Sequence, residues 1–185
     1  MEHDTQVWEI LQKSRYIDLA ELSKLNPSHV ELAPVNPEVF ELVDESLILS
    51  NLSADVIDFA RNETEKYRTE YSVLLCGRWY DGVISLNEPH MEKGEAYNAT
   101  FSYGQCKRAE RVLRSHSGEV VYGHTHVRRG SNYRCFSLDD LAYLVERAIS
   151  TRRNTYGLLI TCDDIVAVRF DRTHNEFYRV NIHFC

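Results

Sequence analysis

From Val120 an apolar stretch runs into His124-Thr125-His126, a loop follows, and Ser137 then opens a segment with Leu138, Leu141, Val145 and Ala148 at helical spacing. This switch of hydrophobic period predicts a strand over 120–126, a loop and a helix, in that order. Alternate side chains of a strand share a face, so both imidazoles point the same way. The Ser137-x-x-Asp140 pattern fits a helix-opening capping box, which sets Asp140 in the first turn with its carboxylate able to turn back toward the strand end. Two imidazole nitrogens and one carboxylate oxygen make three protein ligands. With a fourth position left to water, this is the usual layout of a catalytic zinc. Any fold of the chain must therefore bring the end of one strand against the start of the next helix.

The remaining elements can be read around that constraint. Residues 1–25 suggest one or two short helices, from Val7, Trp8, Ile10 and Leu11 and then Ile17, Leu19, Ala20 and Leu22. Pro27, Pro34 and Pro37 punctuate the next stretch of chain, so 1–40 reads as an N-terminal helical extension and 41–185 as the main domain. The short apolar stretch Leu47–Leu49 leads to Ser50 and Asn51, plausible caps for a helix running to about Tyr67. Its expected inner face is Leu52, Val56, Phe59 and Ala60. Strands are expected over Tyr71–Cys76, Val83–Asn87 and Ala96–Ser102, and a helix from Gln105 to Ser115 with Gly118 as a stop signal. Three strands close the chain, Thr155–Cys162, Ile165–Asp171 and Glu176–Phe184. This order predicts an α+β fold, a mixed and mostly antiparallel sheet flanked by helices.

Composition excludes several function classes. A net charge of −7 argues against general nucleic-acid or anionic-membrane binding. The five cysteines are widely spaced and form no C-x-x-C, which suits a reducing cytoplasm better than a disulfide framework. The acidic N-terminus has no continuous apolar stretch and so does not read as a signal peptide, and no segment has the length of apolar sequence that spans a bilayer.

Taken singly, an H-x-H or a Ser-x-x-Asp is more often structural than catalytic; their order along the chain raises the catalytic reading. Gly-His-Thr-His also ends the motif set of calcineurin-like phosphoesterases. Those enzymes need an upstream Asp-x-His, Gly-Asp-x-x-Asp and Gly-Asn-His for a two-metal site, and none occurs in residues 1–122. A hydrolytic zinc site also needs a general base. Glu70, immediately before the apolar run YSVLLCG, can border the core and reach a cleft. His174 and His183 have no comparable partners and read as surface or sheet residues.

These pieces resemble the JAMM (JAB1/MPN/Mov34) metalloproteases over about 41–185. The family pattern is an upstream Glu after a helix and before a G-L-L-x-G-like strand, then H-x-H and, after a loop, S-x-x-D. The resemblance implies Glu70 as general acid/base, Ser137 as supporting hydroxyl, and His124, His126 and Asp140 as ligands of one Zn2+ ion carrying a water. It implies an MPN-type sheet, and a zinc isopeptidase or peptidase that cuts the C-terminal amide of a ubiquitin or ubiquitin-like protein, in a conjugate or a precursor. A compact prokaryotic-type, deubiquitinase-like, cytoplasmic member fits, with E1- and E2-like conjugation enzymes permitted as further partners and neither nucleic acid nor membrane. Two alternatives stay open: a non-cutting MPN-type module that holds a ubiquitin-like protein, and a JAMM peptidase acting on a small peptide or sulfur-carrier protein. The chain departs from the pattern at Val127, where Pro is usual, and in a longer loop carrying Arg128, Arg129 and Arg134. That loop is either a solvated basic segment or a grip for carboxylates on the partner. RadC-like sequences share H-x-H and Ser-x-x-Asp, but Val127-Arg128-Arg129 does not match their Pro-Ser-Gly.

Overall fold

The computed structural model describes residues 2–13, 33–96, 99–128, 130 and 132–185. The elements in chain order are α1 (Glu2–Lys13), β1 (Pro34–Val35), β2 (Glu41–Leu49), α2 (Asn51–Tyr67), β3 (Tyr71–Tyr80), β4 (Val83–Lys93), α3 (Tyr103–Leu113), β5 (Gly118–Thr125), β6 (Phe136–Ser137), α4 (Leu138–Thr151), β7 (Thr155–Ile160), β8 (Ile165–Asp171) and β9 (Glu176–Phe184). The helical segment expected around Ile17–Leu22 lies outside the described residues. Among the described residues no helix is long and apolar enough to cross a membrane.

Seven strands close into a barrel in the order β2-β4-β3-β5-β7-β8-β9. This closed barrel of mixed strands corrects the expected mixed, mostly antiparallel sheet flanked by helices, and with it the MPN-type sheet that the family resemblance implied. The cause is β2, which has a partner on each edge: it runs parallel to β4 through Ser46–Leu49 and parallel to β9 through pairings such as Leu49 with Phe184. The buried apolar residues of β2 are Leu47 and Leu49; Glu41, Leu42 and Asp44 are exposed, so the first half of the strand that closes the barrel shows no inward hydrophobic alternation. A separate two-stranded ribbon pairs β1 with β6. The strand expected over Ala96–Ser102 is absent among its described residues, and α3 comes next instead, capped by Ser102 and Gln105 in a capping box.

Strand alternation divides the core in two. One cluster fills the barrel, with Leu47, Leu49, Val73, Leu75, Ile84, Leu86, Val121, Leu158 and Ala167 among its members. The other lies on the outer face, where Leu74, Cys76, Val120, Tyr122 and Leu159 meet Ala109 of α3, Leu138, Leu141, Val145 and Ala148 of α4, and Val7 and Leu11 of α1. Helix α2 joins the interior cluster through Ile57 and Ala60. Its buried stripe is Ser53, Ile57, Ala60 and Thr64, at i, i+4, i+7 and i+11, whereas the expected Leu52 and Phe59 are more than half exposed. Two hydroxyls hid this stripe: Ser53 Oγ donates to the Leu86 carbonyl (2.9 Å), and Thr64 Oγ1 lies 2.6 Å from Thr125 Oγ1. On the outer face α4 sits close to β7, because a Cβ at Gly157 would stand 2.6 Å from Leu144 Cδ1.

Candidate metal centre

The strand end and the helix start meet on the outer face of the barrel. His124 is the penultimate residue of β5, and His126 lies one residue past its end, anchored by its N–H to the Ile160 carbonyl (2.9 Å). Thr125, between them, turns the other way. Its Oγ1 accepts the Tyr71 N–H (2.8 Å) and lies against Thr64, so strand alternation leaves both imidazoles on one side. Ser137 caps α4: its Oγ accepts the Asp140 N–H (3.1 Å), and its own N–H donates to Asp140 Oδ2 (2.7 Å). This reciprocal capping box holds the Asp140 carboxylate turned back toward the histidines.

The result is a compact donor set. One donor atom each from His124, His126 and Asp140 lies within 4.8 Å of the others. His124 Nε2 and His126 Nε2 are 2.8 Å apart; His124 Nε2 is 3.4 Å from Asp140 Oδ1, and His126 Nε2 is 3.9 Å from Asp140 Oδ2. A tetrahedral zinc with bonds of about 2.0–2.1 Å spaces its ligand atoms roughly 3.3 Å apart, so these separations bracket what such an ion requires. The outer nitrogen of His126 is also taken: Nδ1 lies 3.2 Å from the Tyr133 carbonyl, an arrangement that puts the proton on Nδ1 and leaves the Nε2 lone pair facing the cluster. The residues fit a zinc ion with two nitrogen ligands, one oxygen ligand and a fourth position open.

Electrostatics favour the ligating forms of His126 and Asp140, while His124 must give up its proton when an ion binds. Burial pushes the His126 pKa down, His124 pushes it further, and it reaches about 4, so this ring is neutral and able to ligate. Burial also opposes charge on His124, but Asp140 and then Glu70 outweigh it and raise its pKa. For Asp140 burial acts upward, yet the two histidines and the Ser137 contact hold the carboxyl well below its usual range. Asp140 is therefore an anion at any ordinary pH.

Glu70 stands just before β3. Its backbone is fixed on both sides, its N–H donating to the Glu95 carbonyl (3.0 Å) and its carbonyl accepting the Gly94 N–H (2.8 Å). Ser72 pairs with His124 across the β3–β5 ladder, so Glu70, two residues earlier, falls on the same face and opposite the His126 end. Its charge is one of the influences that raise the His124 pKa, after Asp140. Of the five residues singled out in the sequence, His124, His126 and Asp140 are in mutual contact, Ser137 is bound to Asp140, and Glu70 lies on the same face by strand register. His174 sits instead in the β8–β9 turn against Asp171, and His183 near the end of β9 lies 3.2 Å from Ser46 Oγ. A cavity of about 180 Å³ adjoins His124 and Asp140, lined by Phe101, Tyr122, Phe136 and Tyr143.

Sequence reading missed Tyr133, whose role rests on its backbone carbonyl and leaves no trace in side-chain type. The basic loop is also partly spoken for. Arg134 pairs with Asp163, and the Arg128 guanidinium lies 5.8 Å from the centre of the Tyr133 ring. Arg129 lies outside the described residues.

No protein-family model matches the chain, and no curated protein matches it. Among solved structures it is similar to the solution structure of protein DSY2949 from Desulfitobacterium hafniense, at 12% identity and a TM-score of 0.49, over 75% of this chain and 92% of that one. A likeness at that level carries no argument about activity.

Proposed function

We propose that this protein is a cytoplasmic zinc-dependent isopeptidase or peptidase of the JAMM type, cutting the C-terminal amide of a ubiquitin-like protein in a conjugate or a precursor. The observation that carries the reading is the convergence of one carboxylate and two imidazoles as a ligand set, with Glu70 on the same face of the strand pair. The motif resemblance supplies the substrate class.

When bound, zinc supplies Lewis acidity: it brings the pKa of a water toward neutrality and polarises a carbonyl. The chain's own residues do the rest. Glu70 takes the proton from the attacking water and gives it to the leaving amine, which in an isopeptide is a lysine ε-amine. The Ser137 Oγ already accepts the Asp140 N–H, so its own proton is available to donate to the oxyanion. Asp140 and His126 stay in the protonation states that ligation needs, one anionic and one neutral. The cavity beside His124 and Asp140, lined by Phe101, Tyr122, Phe136 and Tyr143, gives substrate an apolar wall next to the site.

The direct test is incubation with ubiquitin-like precursors extended at their C-termini. The expected outcome is release of the extension, lost with a chelator and restored by added zinc. Zinc-loaded protein that binds the precursor and leaves its tail intact would make this a binding module instead.

A further inference from the structure

Both restraints on His126 come from one place. Lying past the end of β5, its backbone is held by the Ile160 carbonyl at the end of β7. Its ring is held by the Tyr133 carbonyl, and Tyr133 sits in a short 3-10 turn, Asn132–Arg134, outside the barrel. That turn is tied to the loop between β7 and β8. The Tyr133 hydroxyl donates to Asp163 Oδ2 (2.9 Å), the Arg134 guanidinium binds the same oxygen, and Arg134 Nε donates to the Tyr133 hydroxyl (3.0 Å). Asp163 is itself anchored. Its Oδ1 accepts from Thr161 Oγ1 (3.1 Å), which in turn accepts the Asp164 N–H (3.0 Å), while the Thr161 N–H donates to the Asp164 carbonyl (2.9 Å). Arg128 and Arg134 both approach the Tyr133 ring, with centroid distances of 5.8 and 5.4 Å.

We infer that Asp163 is a positioning residue for the metal site, a latch that through Tyr133 and Arg134 fixes the carbonyl that orients His126. The inference rests on the zinc reading above and adds to it a residue that touches no ligand atom. An exposed ion pair contributes little to stability. The latch works by geometry instead: it removes the rotational freedom of one carbonyl and so of one imidazole, and loss of such an outer partner weakens metal binding by about 10–100-fold. It also gives the longer loop a purpose, since the segment between His126 and Ser137 has to reach the β7–β8 turn.

The test measures zinc affinity of the full chain by competition with a chromophoric chelator, alongside thermal unfolding of the metal-free protein. Asp163→Ala is expected to bind zinc about 10-fold more weakly, with an altered visible spectrum of the cobalt-substituted protein, and Asp163→Glu to recover most of the affinity. Asp163→Ala combined with Arg134→Ala should lose no more than Asp163→Ala alone, because both act through one latch. Zinc affinity of Asp163→Ala within about twofold of wild type overturns the inference, and if its metal-free melting point has fallen, Asp163 is merely structural. A wild-type chain that binds no zinc overturns the metal reading and this inference together, so the two failures are distinguishable.

Discussion

Glu70 and Asp140 both act on the charge of His124, and the roles proposed for them ask for different settings. Asp140 is gripped by the Ser137 N–H and the His124 ring and is held anionic, as a ligand should be. The Glu70 backbone pairs with the 94–95 segment and its side chain is half-buried, so water can reach it as the proposed proton carrier. Glu70→Gln should therefore keep zinc, measured by metal analysis of the purified protein, while hydrolysis of a precursor falls by about 10²–10⁴-fold. Retained turnover in that variant would remove Glu70 from its role. The side-chain members of this site were legible because strand and helix periodicity fix where they point. The Tyr133 carbonyl was not legible, since any residue offers one, and neither was Asp163, which meets Arg134 only because the β7–β8 turn comes back beside the loop.

Among the elements, legibility followed hydrophobic contrast. The bounds of α2, β8 and β9 coincide with their expected ones, each being framed by a cap or a polar turn. By contrast β3 and β4 run on to Tyr80 and Lys93, well past their apolar cores, because ladder bonds extend a hairpin into residues that face solvent. The β8–β9 turn offers a prediction at this scale. Asp171 accepts the Thr173 N–H (2.8 Å) and the His174 N–H (3.1 Å) and is paired with Arg169. Burial alone would raise its pKa, but these contacts prevail and lower it. A carboxyl whose folded value lies below its unfolded one contributes stability that is present above about pH 4 and is lost as pH falls through the folded value. Asp171→Asn should therefore flatten that acid limb in urea unfolding measured from pH 6 to pH 3; an unchanged slope would show that the turn contributes nothing to it.

For the whole molecule, the barrel has two unlike ends. The His124–His126–Asp140 cluster lies where β5 ends. Around the starts of β5 and β7 and the end of β8 is a polar network: Glu45 accepts from the Tyr156 hydroxyl and pairs with Arg169, which also reaches Asp171, and Arg153 pairs with Glu119 and donates to three backbone carbonyls. The Glu45 side chain is 9% exposed and that of Arg169 is 18%, so removing one partner leaves a poorly solvated charge. Glu45→Ala should cost about 3 kcal/mol, which in a chain of this size lowers the melting point by on the order of 10 °C. Scanning calorimetry checks this, and a shift under roughly 3 °C would mean that water replaces the lost carboxylate. Barrel closure itself was beyond sequence reading, because parallel pairing of β2 with β9 is a relation between distant segments and neither strand's pattern specifies its partner.

That same closure governs how the chain must be assembled in time. Asn181 of β9 reaches the Val43 carbonyl of β2 across 138 residues, so the pair that seals the barrel is among its most non-local. Closing so long a loop comes late, after the β3–β4, β7–β8 and β8–β9 hairpins have formed from local contacts. Until β9 has left the ribosome and docked, β2 shows an unpaired edge with apolar Leu47 and Leu49 upon it, the kind of surface on which nascent chains stick to one another.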